Sequence, residues 1–440
     1  MQQFKLPSRT LKKEKKAFIN ARIIDPETKL DIKGTLITEG NKIADFGENL
    51  LSSGIPEGIE VVNCNGNILC PGLIDIQVHF RYPGQEQKET IGTGSKSAAA
   101  GGITTVVCQP NTKPTIDSPE VIKMLKAKEK EEGYINIETY ACITKGMKGE
   151  ELADLAALKE AGAVGFTDDG LPVMSAHLMR LAFEASEKLG RPIVQHAEDL
   201  NLSNKGCITE GEVSKKLCVR GIPNLSESLI VARDIRLLEK YGGSYHVLHV
   251  STKEAVEEIR MAKKKGLKIT AEAAPHHFAL TEAAVLEHGT NAKMNPPLRS
   301  EADRLAIIEA LKDGTIEAIA TDHAPHDPAS KALPLPEATF GIVGVETMLP
   351  IALELYHNKT LSLIDLLAKM TYKAADIVHL KRGRLKKDTV ADLTLIDINQ
   401  EWKIDTNQFH SKSKNSPFNG RNVKGRAIKT VLAGEIVYSL

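Results

Sequence analysis

Leu73-Ile74-Asp75-Ile76-Gln77-Val78-His79-Phe80 reads as an apolar strand that carries polar side chains toward its carboxyl end. Seven further apolar runs follow it, at 104–109, 135–143, 163–167, 192–196, 245–250, 268–274 and 316–321. Helix-like patterns separate most of them, as at 118–131, 150–160, 176–188, 253–264 and 301–311. Repeated strand–helix alternation implies a parallel sheet, and eight units imply a closed (β/α)8 TIM barrel over 71–380.

The flanks read differently. Short β-type runs separated by turn signals occupy 17–24, 34–38 and 43–46 before the barrel. The tail repeats that character at 391–396, 430–432 and 435–438. We therefore expect residues 1–70 and 381–440 to build one small composite β-sandwich. The basic run 381–387 marks the return of the chain to it, with nucleic-acid binding a distant second reading.

Bulk properties narrow the function classes. The chain has 440 residues, enough for a large barrel plus a smaller domain. Its 57 basic and 57 acidic residues cancel, so no global field draws it to nucleic acid or to an anionic membrane. No apolar run approaches the length that spans a bilayer. The start, Met1 to Lys16, is locally basic through Lys12, Lys13, Lys15 and Lys16, and reads as a solvated leader without a signal-peptide core. Six cysteines without C-x-x-C spacing point to reduced thiols and a cytoplasmic location.

The candidate chemistry sits at the ends of the apolar runs. His79, Asp169, His196, His249 and Asp322 all fall at or just past such an end, where barrel enzymes carry their catalytic groups. Imidazole and carboxylate together suit zinc and similar divalent ions. Such ions lower the pKa of a bound water, and a neighbouring Asp can pass its proton to a leaving nitrogen. That is machinery for hydrolysing an amide, or closing one in reverse.

The order of several segments carries a family resemblance over about residues 17–437. They are Pro71-Gly72-Leu73-Ile74-Asp75, Phe80-Arg81-Tyr82-Pro83-Gly84, Gln109-Pro110-Asn111-Thr112 and Phe166-Thr167-Asp168-Asp169-Gly170. Lys293-Met294-Asn295-Pro296-Pro297-Leu298-Arg299, Thr321-Asp322-His323-Ala324-Pro325-His326 and Phe340-Gly341-Ile342-Val343-Gly344 complete the set. On these the chain resembles the class I dihydroorotases of the cyclic amidohydrolase group. The resemblance implies reversible hydrolysis of (S)-dihydroorotate to N-carbamoyl-L-aspartate in pyrimidine biosynthesis, with one or two zinc ions per chain. It implies that His79 binds a first metal, Asp169 bridges, and His196 and His249 bind a second. Asp322 would be a ligand of the first metal and the general acid/base. Arg81, Asn111 and His326 would hold the substrate carboxylate. Asn295 and the Phe340–Gly341 backbone would contact the ring, and residues 327–339 would form a mobile loop. A homodimer is a further family expectation.

Two features qualify the resemblance. Hydantoinase-like and allantoinase-like relatives bridge their metals with a carboxylated Lys. Here Thr167-Asp168-Asp169 stands in that window, which favours a dihydroorotase over those sister activities. The second feature is Gln77, where relatives carry the first His of His-x-His. A Gln amide is a much poorer zinc ligand than imidazole. Three outcomes are open: weak ligation by Gln77, hydrolysis run from the second metal alone, or a silent subunit that partners aspartate carbamoyltransferase.

The remaining histidines have plainer readings. His276 and His277, taken as strand neighbours, face opposite ways and read as structural or supporting groups. His323 orients Asp322 or packs locally. His246 lies three residues before His249, so it is expected on the opposite strand face, outside the barrel core.

Overall fold

Strand Leu73–Val78 pairs in parallel with Ile103–Cys108, which pairs with Asn136–Thr139. Ile193–Gln195, Tyr245–Val247, Ile269–Ala273 and Ala318–Ile319 form a second parallel set. Bridges Ala141–Phe166 and Phe166–Ile193 join the sets on one side, and Val78–His323 closes the circle on the other. The molecule is thus the TIM barrel that the strand–helix alternation implies. The structure, a computed structural model, describes residues 2–8 and 14–440.

The fourth unit, expected at 163–167, is no regular strand and joins the barrel through the bridges of Phe166 and the Val164 N–H, which donates to the Thr139 carbonyl at 3.0 Å. Just beyond it, the Asp168 carboxylate accepts from the backbone N–H groups of Ile143 (2.8 Å) and Thr144 (3.1 Å), which turns the chain toward the preceding unit. Ile74, Ile76, Val107, Tyr140, Val164, Val194, Leu248, Ala318 and Ala320 fill the barrel interior. Outward side chains such as Leu73, Val106, Ile137, Val247 and Ala271 belong to a separate core shared with the helices. Four helices fall where the sequence places them: Pro119–Glu132, Ala176–Leu189, Lys253–Lys264 and Glu301–Asp313. The one expected over 150–160 is Leu155–Glu160 only, because the Asp154 side chain caps it by accepting from the Ala157 N–H.

Both chain ends build one nine-stranded sheet, the core of the β-sandwich domain. Lys15–Asp25, Leu30–Glu39 and Lys42–Gly47 come from the front; Leu393–Lys403, Asn422–Leu432 and Glu435–Ser439 come from the tail. Strand Ile68–Pro71 joins the halves by pairing with both Lys15–Asp25 and Leu393–Lys403, and it runs straight on toward the first barrel strand. The chain start corrects the solvated-leader reading. Gln3–Phe4 pairs antiparallel with Glu435–Ser439, Phe4 packs against Tyr134 and Tyr438, and Lys16 pairs with Glu60. An apolar ring and free strand edge outweigh the surrounding charge; Lys12 and Lys13 lie outside the described residues. Three of the five basic side chains in the run at the return to the sheet are held in ion pairs. Arg384 meets Glu27 and Asp376, Arg382 meets Asp392, and Lys387 meets Asp45.

Candidate active site

A shift in strand register between Asp75 and Val78 re-aims the side chains that follow. Ile76 still faces the barrel interior, yet both Gln77 and His79 reach into its mouth. His79 Nε2 lies 3.0 Å from Asp322 Oδ1 and 3.4 Å from Asp169 Oδ2. On the other side of Asp169, its Oδ1 lies 3.4 Å from His196 Nδ1 and 3.6 Å from His249 Nε2. Those two imidazole nitrogens are 2.9 Å apart. Three site residues hold left-handed backbone despite bearing side chains: Arg81 (φ 59°), His249 (φ 31°) and Asp322 (φ 52°). Such conformations cost about 1–3 kcal/mol each and persist only where surrounding structure enforces them.

The donors gather into two groups that share Asp169. Asp169, His196 and His249 are all buried, with ligand atoms within 4.8 Å of one another; His79, Asp169 and Asp322 form the second group. The first group fits a divalent ion well. It offers two nitrogens and one oxygen from three barrel units, and Glu198 Oε2 accepts from His196 Nε2 at 3.0 Å, which fixes the ring with Nδ1 facing Asp169. Burial pulls the His196 pKa down, but Asp169 and Glu198 outweigh it and raise it to about 10. Glu198 is opposed by its own burial and still falls to about 2 through His196. Asp169 is likewise held well below the usual carboxylate range by His196 and His249, against burial.

The second group is short of nitrogen donors. Gln77, wholly buried, donates through Nε2 to Asp169 Oδ2 (3.1 Å) and Asp322 Oδ1 (3.5 Å). An amide therefore stands between the carboxylates, where the family resemblance leads us to expect an imidazole.

Above the two groups lies a cavity of about 200 Å³. Among its walls are His79, Arg81, Asn111, Asp169, His196, Asn295, Asp322, His326, Phe340 and Gly341, so every expected site residue except the deeper His249 faces it. Arg81 is buried; its Nη2 donates to His326 Nε2 (3.2 Å) and its Nε to the Pro325 carbonyl (3.2 Å). Burial and the adjacent Arg81 push the His326 pKa down to about 2, so this imidazole is neutral and its Nδ1, which has no protein partner, carries the proton. Asn111 does more than line the wall: its Oδ1 lies 2.9 Å from His79 Nδ1. Asn295 donates to Glu198 Oε2 at 2.8 Å. Gly341 has φ 128°, and a Cβ there would stand 2.6 Å from the Ala324 Cβ, so no other residue fits this wall.

Sequence reasoning passed over several supporting groups. Glu198 lies two residues after His196, and only its approach to His196 Nε2 reveals its role. His246 is corrected: it lies inside the barrel, fully buried, with Nδ1 2.8 Å from Thr270 Oγ1 and Nε2 3.1 Å from Glu272 Oε2. Left-handed His249 breaks the strand alternation on which the outward assignment rested. His276 and His277 sit on the short helix Pro275–Ala279 rather than on a strand, since Pro275 starts a turn of helix there. His323 packs locally, edge-on to Phe80, its Nδ1 accepting from the Gly344 N–H. Asn415 arrives from the distant tail to donate to the Ala324 and Gly341 carbonyls.

The segment 327–339 is fastened by two lysines. Lys331 Nζ donates to the carbonyls of Lys293 (3.2 Å), Thr339 (2.9 Å) and Gly341 (3.0 Å). Lys293 Nζ donates to those of Leu335, Pro336 and Ala338. Lys331→Met would strand the Thr339 carbonyl, at about 1–3 kcal/mol, and leave the Lys293 and Gly341 carbonyls with only the Gly341 N–H and Asn415 Nδ2 as donors. We expect proteolytic nicking within 328–341 to speed up at least about tenfold. An unchanged rate would show that the clasp does not hold this segment.

A closed barrel with imidazoles and carboxylates converging at its mouth defines the amidohydrolase class of barrel enzymes. The fold matches an L-hydantoinase (dihydropyrimidinase) from Arthrobacter aurescens with TM-score 0.85 and 25% identity, covering 96% of this chain and 95% of that one. It also matches a dihydropyrimidinase from Brevibacillus agri NCHU1002 with TM-score 0.84 and 21% identity, at the same coverage. By sequence, residues 66–255 match the Dihydro-orotase-like family. The chain is 61% identical over 424 residues to a dihydroorotase of Ehrlichia chaffeensis, covering 96% of this chain and 94% of the relative. It is 60% identical over 427 residues to a dihydroorotase of a Wolbachia from Brugia malayi, covering 97% and 96%. The chain belongs to the dihydroorotase family.

Proposed function

We propose that this chain is a dihydroorotase, hydrolysing the ring amide of (S)-dihydroorotate to N-carbamoyl-L-aspartate and closing the ring in reverse, in pyrimidine biosynthesis. The observation that carries the substrate assignment is the buried Arg81–His326 pair in the cavity wall. Hydantoin and dihydropyrimidine rings bear no carboxylate and gain nothing from a buried guanidinium. Dihydroorotate bears one, and a planar fork of donors matches it. The neutral His326 accepts from Arg81 through Nε2 and so braces the guanidinium in that wall. The acidic bridge position, Asp169 without a Lys nearby in sequence, points the same way.

Asp169, His196 and His249 would hold a divalent ion, and their nitrogen-rich set suits zinc. Such an ion, when bound, activates water near neutral pH and polarises the amide carbonyl. The protein's own groups do the rest. Asp322 takes the proton of the attacking water on its carboxylate and delivers it to the departing ring nitrogen. His79, 3.0 Å away, holds that carboxylate in place, and Asn111 orients His79 in turn. Asn295 and the Phe340–Gly341 backbone shape the wall for the ring.

The test is a substrate panel run on the wild type and on Arg81→Met. Wild-type turnover of dihydroorotate, with little of hydantoin or dihydrouracil, is the expected pattern. Losing one charge-assisted contact of about 1.5–3 kcal/mol should lower kcat/KM for dihydroorotate about 10- to 100-fold, mostly through KM. A preference for uncharged rings would assign the chain to a sister activity instead.

A further inference from the structure

We infer that this site works with one divalent ion, held by Asp169, His196 and His249, and that the Gln77 amide takes the place of a second ion between Asp169 and Asp322. The inference rests on the metal reading just proposed and concerns what this chain's own residue does to it. Gln77 Nε2 carries two hydrogens, and two carboxylate oxygens face it: Asp169 Oδ2 at 3.1 Å and Asp322 Oδ1 at 3.5 Å. Each hydrogen thus has an acceptor. To serve as a ligand, the amide would have to turn Oε1 toward those same carboxylates and give up both hydrogen bonds. It would then offer a neutral oxygen that competes poorly with imidazole for zinc. The side chain is wholly buried, so these neighbours set its orientation: Nε2 serves both carboxylates, and Oε1, turned away from them, has no hydrogen-bond partner.

The consequence is a division of labour across Asp169. Its Oδ1 faces His196 and His249, while its Oδ2 faces Gln77 and His79. The first side holds the ion. On the second side, Asp322 keeps a carboxylate free of metal, oriented by a neutral amide and by His79. His79 is then a positioning residue for Asp322 rather than a ligand, with its second nitrogen 2.9 Å from Asn111 Oδ1. Gln77 is likewise a positioning residue and touches no substrate, since it is absent from the cavity wall.

The experiment is a zinc titration of chelator-stripped protein by calorimetry, with metal content after gel filtration measured by mass spectrometry. The wild type should bind about one zinc per chain, and Gln77→His about two. Diffraction at the zinc edge should place the wild-type ion against His196 and His249, with no anomalous peak between His79 and Asp322. Gln77→Met, similar in size but without donors, should keep about one zinc yet lose turnover, with an altered pH profile as Asp322 is released. Two zinc ions in the wild type would overturn the inference without any variant, and so would a Gln77→His protein that is folded and still binds one. A wild type that binds none would instead bring down the metal reading on which the inference rests.

Discussion

Replacing Asp322 with asparagine is expected to lower dihydroorotate turnover by about 10²- to 10⁴-fold, in both directions, with the fold intact. Asparagine is the informative substitution for a backbone reason. Asp322 sits at φ 52°, a conformation that asparagine tolerates far better than alanine. The amide keeps the volume and the approach to His79 Nε2 at 3.0 Å, but cannot carry a proton between water and the leaving nitrogen. Binding should change much less than turnover, because the carboxylate anchor, Arg81 and His326, lies elsewhere in the wall. Steady-state kinetics beside a thermal melt would check this. A variant that turns over at the wild-type rate would remove Asp322 from the proton path.

The second large effect belongs to Asp169, the one carboxylate shared by both donor groups. Asp169→Asn should weaken zinc binding roughly 100- to 1000-fold, given about 10–16 kcal/mol spread over four ligands in tight zinc sites. Turnover should disappear with the metal at micromolar zinc. A linked pH effect has a definite sign. In the metal-free protein, burial lowers the His196 pKa, but Asp169 and Glu198 together raise it to about 10. Its proton is therefore present at neutral pH and must leave when zinc arrives. Zinc uptake should release protons and weaken as pH falls, and Asp169→Asn should reduce the release by removing one of the two groups that hold the proton. Proton release is read with an indicator dye in weak buffer. Metal uptake that is flat between pH 6 and 8 would contradict the assignment of His196.

Much of this site is legible in the sequence. His79, His196 and Asp322 follow apolar runs directly, and strand ends in a barrel meet at one face, so their convergence follows from local sequence. His246 was misplaced because alternation of side chains holds only on regular strand, and His249 at φ 31° breaks it. Glu198 and Asn415 were silent because their meaning lies in partners that no local period connects. Asn415 reaches Gly341 across 74 residues of chain.

The sequence by itself determined the barrel, its sheet at the flanks and the inventory of donors. Hydrophobic periodicity is a short-range property, and each strand–helix unit writes its own pattern. Only the tertiary structure decided what Gln77 does. Its two acceptors lie 92 and 245 residues away, and a register shift within the first strand aims the amide at them. As a string, Gln77 is a missing ligand. In the folded barrel it is a buried donor with both hydrogens used, because closing the sheet brings two carboxylates to either side of it.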